Sequence, residues 1–529
     1  MFLLFVSVVI ILCIISSRIS NKFGVPTLLI FIALGMLFGS EGIFKVQFED
    51  YKLAEQICSF ALMLIIFCGG FSTNWKVAKP VIPQAVWLST LGVFLTAVLT
   101  AAFCHLVLGM ELLKGCLIGA VISSTDAASV FSILRSKNLN LKYGSASLLE
   151  IESGSNDPMS YMLTVIVLMV MAGSALDSVP YMLFAQVAYG LVCGIVIALG
   201  SRYFLKRFKF TIDGFDKLFV LAIAVFTYAF PNILGGNGYL AAYVAGLILG
   251  NSNIKNKVGL VQFFDGITGL SQIIIFFLLG LLCFPSQVLN FMLPSIAIVL
   301  FLTFVARPVS VFAIMTPYRA PFKQQLLVSW TGLRGAASIV FAILATVSDF
   351  YGNTDVFQIV FCIALFSVAF QGSLLPYFSR KLDMIDTEGS VLKTFNDYQD
   401  ETEMQLIKTY IPEGHSWVGS TLSEIDTLGD TLVVMVKRGN ETIIPKGNTH
   451  IKAGDTVVLS GEAYREDEDI KLNEILIDEN NEWVNRDIKS LNLSKDTLII
   501  IVKKQDGTFV VPNGDTLIEQ GDVIVLSGL

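Results

Sequence analysis

The chain has 529 residues, of which 54% are hydrophobic and only 15% charged. A soluble domain carries about 25% charge, so the composition excludes an ordinary soluble enzyme and defines an integral membrane protein. The net charge of −7 comes largely from residues 381–529, and no basic patch of the kind that binds nucleic acid accompanies it.

Apolar runs long enough to span a bilayer fall at about 1–17, 24–43, 57–73, 82–108, 114–134, 146–173, 179–201, 217–234, 238–252, 263–284, 289–316, 325–348 and 356–378, which predicts about thirteen spans. The first run lacks a basic flank and a small-residue cleavage site, so it reads as a retained span and not a cleaved signal. Odd-numbered loops carry the basic residues (Arg18 and Lys22; Lys76 and Lys79; Arg135, Lys137 and Lys142; Arg202, Lys206, Arg207 and Lys209; Lys255 and Lys257; Arg319 and Lys323). Even loops hold only Lys45, Lys52 and Lys114. The positive-inside rule then predicts a multi-pass protein of the cell membrane with its N-terminus outside and its tail in the cytoplasm.

Two spans are interrupted. Span five reads Ile122-Ser123-Ser124-Thr125-Asp126-Ala127-Ala128-Ser129, and span twelve reads Trp330-Thr331-Gly332-Leu333-Arg334-Gly335-Ala336-Ala337-Ser338. Non-helical backbone at membrane depth survives only where it is buried or lines a cavity, and paired broken helices in two halves of a chain point to a transporter site. The two breaks correspond if spans one to six and eight to thirteen are inverted repeats. Small residues alone also serve ordinary helix packing, but that does not account for Asp126 and Arg334.

Span six carries Glu150-Ile151-Glu152-Ser153-Gly154-Ser155-Asn156-Asp157-Pro158. Ionisable groups in hydrocarbon cost about 2.5–3.5 kcal/mol each on insertion scales, so they mark function before structure. On a helix, Ser153, Asn156, Asp157 and Ser160 share one face. Glu150, nearer the span end, reads as an interfacial charge. A buried Asp157 keeps its charge only beside a cation and otherwise takes a proton, so the two ligands compete for it. Hydroxyls and the carbonyls of a helix break supply the further oxygens a hard monovalent cation needs. The three histidines (His105, His415, His450) are scattered and the eight cysteines, all in apolar segments, form no Cys-x-x-Cys pair. No cofactor, structural metal or disulfide is therefore expected, and the proton carrier should be a carboxylate.

Beyond Arg380 an acidic linker over 381–404 leads to an internal repeat of about 67 residues. Thr431–Val436, Ile443-Ile444-Pro445 and Gly454-Asp455-Thr456-Val457-Val458-Leu459-Ser460-Gly461 recur as Thr497–Val502, Val510-Val511-Pro512 and Gly521-Asp522-Val523-Ile524-Val525-Leu526-Ser527-Gly528. The β-branched runs and turn residues predict two β-rich α+β modules over 405–461 and 472–529, joined by the solvated stretch Glu466–Asp469. Gly236-Asn237-Gly238-Tyr239-Leu240-Ala241 imitates a dinucleotide fingerprint, but it lies between two spans and follows no strand.

The membrane part, residues 1–380, resembles the monovalent cation/proton antiporters, in the branch with an Asn-Asp pair in span six. Thr125-Asp126, Glu152-Ser153 with Asn156-Asp157, and Gly332-Leu333-Arg334-Gly335 carry the resemblance, and the wording around span six is similar to the potassium/proton subgroup. Ala127-Ala128 depart from the Pro-Val that follows the span-five aspartate in many relatives. The resemblance implies that Asp157 binds the ion or the proton with Ser153 and Thr125, that Asn156 and Asp126 orient the crossing, and that Glu152 and Arg334 form a structural ion pair. It also implies a homodimer. The tail modules resemble TrkA-C ligand-binding domains, which implies regulation by a cytoplasmic nucleotide-type ligand.

The expected function is alternating-access exchange of K⁺, or of Na⁺ as the alternative, for protons; it is not an enzyme activity. A ligand-gated cation channel is the rival from another class, and the chain lacks the Thr-Val-Gly-Tyr-Gly filter such a channel would show. A cation-coupled symporter and a non-transporting sensor complete the alternatives.

Overall fold

In hydrocarbon, a segment must satisfy its own backbone N–H and C=O groups, and the apolar runs accordingly coil. The computed structural model describes residues 2–386, except 24–25, 138, 174–175, 209–211, 213, 253, 255–256 and 352. It also describes 404–528, except 426–431, 440, 463–470, 479–480, 492, 494–496, 505–508 and 511. The chain divides into two units, Met1–Asp400 and Glu401–Leu529.

The first unit is helical: α1 (Phe2–Phe23), α2 (Thr27–Phe38), α3 (Tyr51–Ser72), α4 (Trp75–Leu106), α5 (Leu112–Val121), α6 (Ala127–Ser136), α7 (Ser145–Met171), α8 (Val179–Arg207), α9 (Phe215–Ile233), α10 (Gly238–Gly250), α11 (Lys257–Leu281), α12 (Pro285–Met315), α13 (Phe322–Trp330), α14 (Ala336–Val347) and α15 (Asp355–Lys381). Among the described residues seven helices are long and apolar enough to cross a membrane: α3, α4, α8, α9, the Gly259–Leu281 part of α11, α12 and α15. With 27 residues α7 has the length, but Glu150, Glu152 and Asp157 interrupt its apolar character. The expected interruptions are real breaks: α5 gives way to α6 across 122–126, and α13 to α14 across 331–335. Three further helices each contain a π turn that no residue pattern foretold: Leu88–Gly92 in α4, Leu302–Ala306 in α12 and Ser367–Gly372 in α15.

Packing leans on small residues, as between helices in lipid. Gly35 of α2 and Gly280 of α11 face each other so closely that a Cβ on either would run into the opposite backbone. At the end of the unit, the segment following α15 pairs with the connection between α6 and α7: Lys142 N–H donates to Met384 O (2.9 Å) and Asp386 N–H to Asn140 O (3.0 Å). Asp383 in that segment meets Lys142 at 3.1 Å and Lys323 at 3.9 Å. The Lys142 hydrogen bond and charge hold its carboxyl below the usual range.

Among the described residues the second unit holds two four-stranded antiparallel sheets and one two-stranded ladder. The strands are β1 (Met404–Tyr410), β2 (Leu432–Arg438), β3 (Glu441–Ile443) and β4 (Asp455–Glu462), then β5 (Lys471–Leu476), β6 (Arg486–Asp487), β7 (Thr497–Lys503), β8 (Phe509–Val510), β9 (Leu517–Ile518) and β10 (Val523–Gly528). The sheet orders are β1-β4-β2-β3 and β5-β10-β7-β8, the same arrangement twice, and β6 pairs with β9. The repeat thus reaches the strand order, and it reaches the ion pairs as well. Arg438 grips the fully buried Asp455 with Nε and a terminal nitrogen (2.8 and 2.7 Å), and Lys504 meets the equally buried Asp522 at 2.9 Å. Residues 387–403, most of the expected acidic linker, and Glu466–Asp469 lie outside those described.

The hydrogen bonds from Arg438 hold the Asp455 carboxyl below its ordinary value. A carboxyl depressed in the folded state stabilises the fold above its unfolded pKa of about 3.9 and loses that contribution as pH falls through the folded value. Hydrogen exchange on the full chain should therefore show β2 and β4 loosening below about pH 4. Arg438→Ala should loosen them already at neutral pH.

Candidate ion-binding site

At the first break the polar side chains of α7 reach across to the freed backbone. Ser153 Oγ–H donates to Thr125 O (2.7 Å) and accepts from Ala127 N–H (2.9 Å). Asn156 Nδ2–H donates to Thr125 Oγ1 (2.6 Å), and Ser160 Oγ–H to Ala120 O (2.6 Å). The 3–4 spacing of these residues is thus what stitches α7 along the broken helix.

The two breaks are joined directly. Asp126 N–H donates to Leu333 O (2.8 Å). The Asp126 carboxylate caps α6 by accepting from Ser129 N–H (3.0 Å) and Ser129 Oγ–H (2.5 Å), and Ala336 N–H at the start of α14 also reaches it. Helix N-termini present unpaired N–H groups and partial positive charge, so one carboxylate here compensates two half-helices. Arg334 does the converse. Its NH1 donates to Ile122 O (2.6 Å) and Ser124 O (2.7 Å), the free carbonyls beyond the end of α5. Gly335 leaves room for the contact, because a Cβ there would collide with the Asp126 carboxyl.

Glu152 and Arg334, expected as an ion pair, are not paired. The partner of Glu152 is Arg307 of α12, held through both terminal nitrogens at 2.5 and 2.9 Å with both side chains buried. Arg334 is already committed to the carbonyls of the first break, and carbonyls at a helix end draw a cation as a carboxylate does. Arg307 was missed in the sequence, although a lone arginine inside the apolar run 289–316 is the signal that singled out the other charges.

Asp157 is 8% exposed. The Ser124 hydroxyl approaches it and is itself 3.2 Å from the Ser338 hydroxyl. Its Oδ1 has no hydrogen-bond partner among the described residues. Asp157 lies on the wall of a cavity of about 500 Å³ that also touches Ser153, Thr125, Ser124, Asp126 and Glu150. Glu150, expected as an interfacial charge, is 7% exposed and shares a face of α7 with Ser153, Gly154 and Asp157 at spacings of three, four and seven. Asp265, Thr268 and Gln272 of α11 form another wall, which no residue pattern associates with α7.

A carboxylate with an open oxygen, set at the crossing of two broken helices and facing a cavity, defines a secondary transporter of a small cation. The comparison with known proteins agrees, and the chain belongs to the family described as "Sodium/hydrogen exchanger, transmembrane", which it matches over residues 7–381. Residues 409–467 and 472–529 each match the TrkA-C domain. The chain is 37% identical over 386 residues to the K(+)/H(+) antiporter NhaP of Alkalimonas amylolytica, covering 72% of this chain and 67% of that protein. It is 32% identical over 454 residues to the K(+)/H(+) antiporter NhaP2 of Shewanella sp. (strain ANA-3), covering 84% and 78%. Its fold is similar to that of the sodium proton antiporter MjNhaP1 from Methanocaldococcus jannaschii (TM-score 0.61, 22% identity, covering 70% of this chain and 98% of that one).

Proposed function

We propose that the protein is a cation/proton antiporter that exchanges K⁺ for protons, with Asp157 as the shared carrier. The observation that carries this reading is the unpartnered Asp157 oxygen on the cavity wall. Thr125 and Ser153 supply further ligand oxygens, while Asn156 and Asp126 hold the crossing in place. The Glu152–Arg307 pair steadies α7 against α12. The preference for K⁺ rests on the two relatives named as K⁺/H⁺ antiporters.

One exchangeable carboxylate binds one proton or one cation, so the exchange is one for one. Around this site we read residues 1–380 as thirteen spans in two inverted repeats, with the N-terminus outside. The cavity reaches Ser132 and Glu150, towards the loops that the positive-inside rule puts in the cytoplasm, so the conformation is inward-facing. In this reading 381–404 is a linker and the modules at 405–461 and 472–529 bind a cytoplasmic nucleotide-type ligand that shifts the population of transport states. Two copies of the chain assemble, giving each moving transport domain a fixed partner.

The test is dequenching of a pH-gradient dye in everted vesicles, comparing K⁺ with Na⁺. K⁺ should collapse the gradient in the wild type and leave it intact in Asp157→Asn. A Na⁺-only response moves the substrate and keeps the mechanism. A mutant that matches the wild type removes Asp157 as carrier.

A further inference from the structure

Three backbone irregularities converge: the π turn of α12, the break between α13 and α14, and the π turn of α15. Insertions of this kind sit mostly at functional places in helices. Between them lies a small hole of about 10 Å³, lined by Thr303, Arg307, Gly332, Arg334, Ser367 and Gln371 among others. That is about the room one water needs.

Two donors on residues lining this hole are not satisfied. Arg307 and Arg334 are 3% and 2% exposed. Glu152 occupies the terminal nitrogens of Arg307, and the carbonyls of Ile122 and Ser124 occupy NH1 of Arg334. The Nε–H of each arginine has no partner among the described residues. A buried donor without an acceptor costs about 1–3 kcal/mol, and more when it is charged. The two arginines that carry these donors both line one hole of about 10 Å³.

We propose that this hole is a binding site for one small hydrogen-bond acceptor, held between Arg307 Nε–H and Arg334 Nε–H. Chloride and water share the required chemistry. Chloride adds a compensating charge, whereas water can also donate to oxygens of Thr303, Ser367 or Gln371. Two guanidinium groups repel K⁺ and Na⁺, so the site is separate from the cation route and stands whether or not Asp157 is the carrier. Its ligand bridges α12 to the break before α14 and fixes the stem of Arg334, whose other end holds the carbonyls of the first break.

The experiment is a crystal structure of the full chain grown with bromide in place of chloride, with data collected at the bromine edge. An anomalous peak within hydrogen-bond reach of both Nε atoms identifies a halide; ordinary density without anomalous signal identifies water. No density there, or another side chain turned into the hole, overturns the proposal. In Gly332→Ala the added methyl would lie 3.1 Å from Arg307 Nε, so the peak should be lost. A peak that survives unchanged in that variant overturns the placement, and the wild-type map decides alone if the variant does not fold.

Discussion

Arg307→Ala should destabilise the membrane unit more than any substitution on its surface. It strips the counter-charge from Glu152, which is fully buried and has both oxygens engaged by that one guanidinium. Removing one member of a buried pair costs about 3–5 kcal/mol, because the survivor keeps its charge and loses its partner. The double replacement Glu152→Leu with Arg307→Met removes both charges and should recover much of the loss, since buried pairs are often close to neutral against apolar residues of similar size. Thermal unfolding of the purified protein reads both effects. A double-mutant cycle then separates the two arginines: the coupling of Glu152 to Arg307 should exceed its coupling to Arg334. Equal couplings would return Arg334 to the role that its sequence motif suggested.

Gly335→Ala should abolish exchange while the chain still reaches the membrane. The new Cβ falls on the Asp126 carboxyl, and the neighbours have little freedom to yield. Asp126 is tied to Ser129 and to Ala336 at the starts of two half-helices, and its N–H is tied to Leu333 O. If the carboxyl swings away, α6 loses its cap, a cost of about 0.5–2 kcal/mol. If the backbone yields, the two breaks part and the groups around Asp157 move with them. Gly200→Ala is the control, since a Cβ there meets nothing within 4 Å. Dye dequenching by K⁺ should vanish in the first variant and persist in the second; a transport-competent Gly335→Ala would show that the crossing tolerates a wider spacing.

The sequence revealed most of this site because charge and broken helices are conspicuous in an apolar chain. The shared face of Ser153, Asn156 and Ser160 was legible from spacing alone, and the structure puts the first two against the first break and Ser160 against the last turn of α5. The partner of Glu152 was not legible. Pairing is decided by where α12 crosses α7, and no residue pattern encodes that crossing. The place of Glu150 on the cavity wall was not legible for a related reason: α7 begins at Ser145, so a residue near the end of the apolar run still shares the helix face of Ser153 and Asp157. The π turns had no signature, since an extra residue in one turn leaves composition unchanged. In the tail, the period of the repeat carried through to strand order because both copies place turns and β-branched runs at matching positions.

The engagement of Asp126 with two helix starts has an energetic consequence for the cell. A carboxylate so engaged is held in place, and in the reading proposed above only Asp157, with its open oxygen, trades its ligand. If, as proposed, one charge is carried each way, a full cycle moves no net charge, and membrane voltage drops out of the driving force. The exchanger then comes to rest when the cation ratio across the membrane equals the proton ratio, about tenfold for each unit of pH difference. A cytoplasm more alkaline than its surroundings loses K⁺ through such a device until that balance is met. Under that proposal restraint on the flux falls to the rest of the chain, where the two TrkA-C domains follow the membrane part.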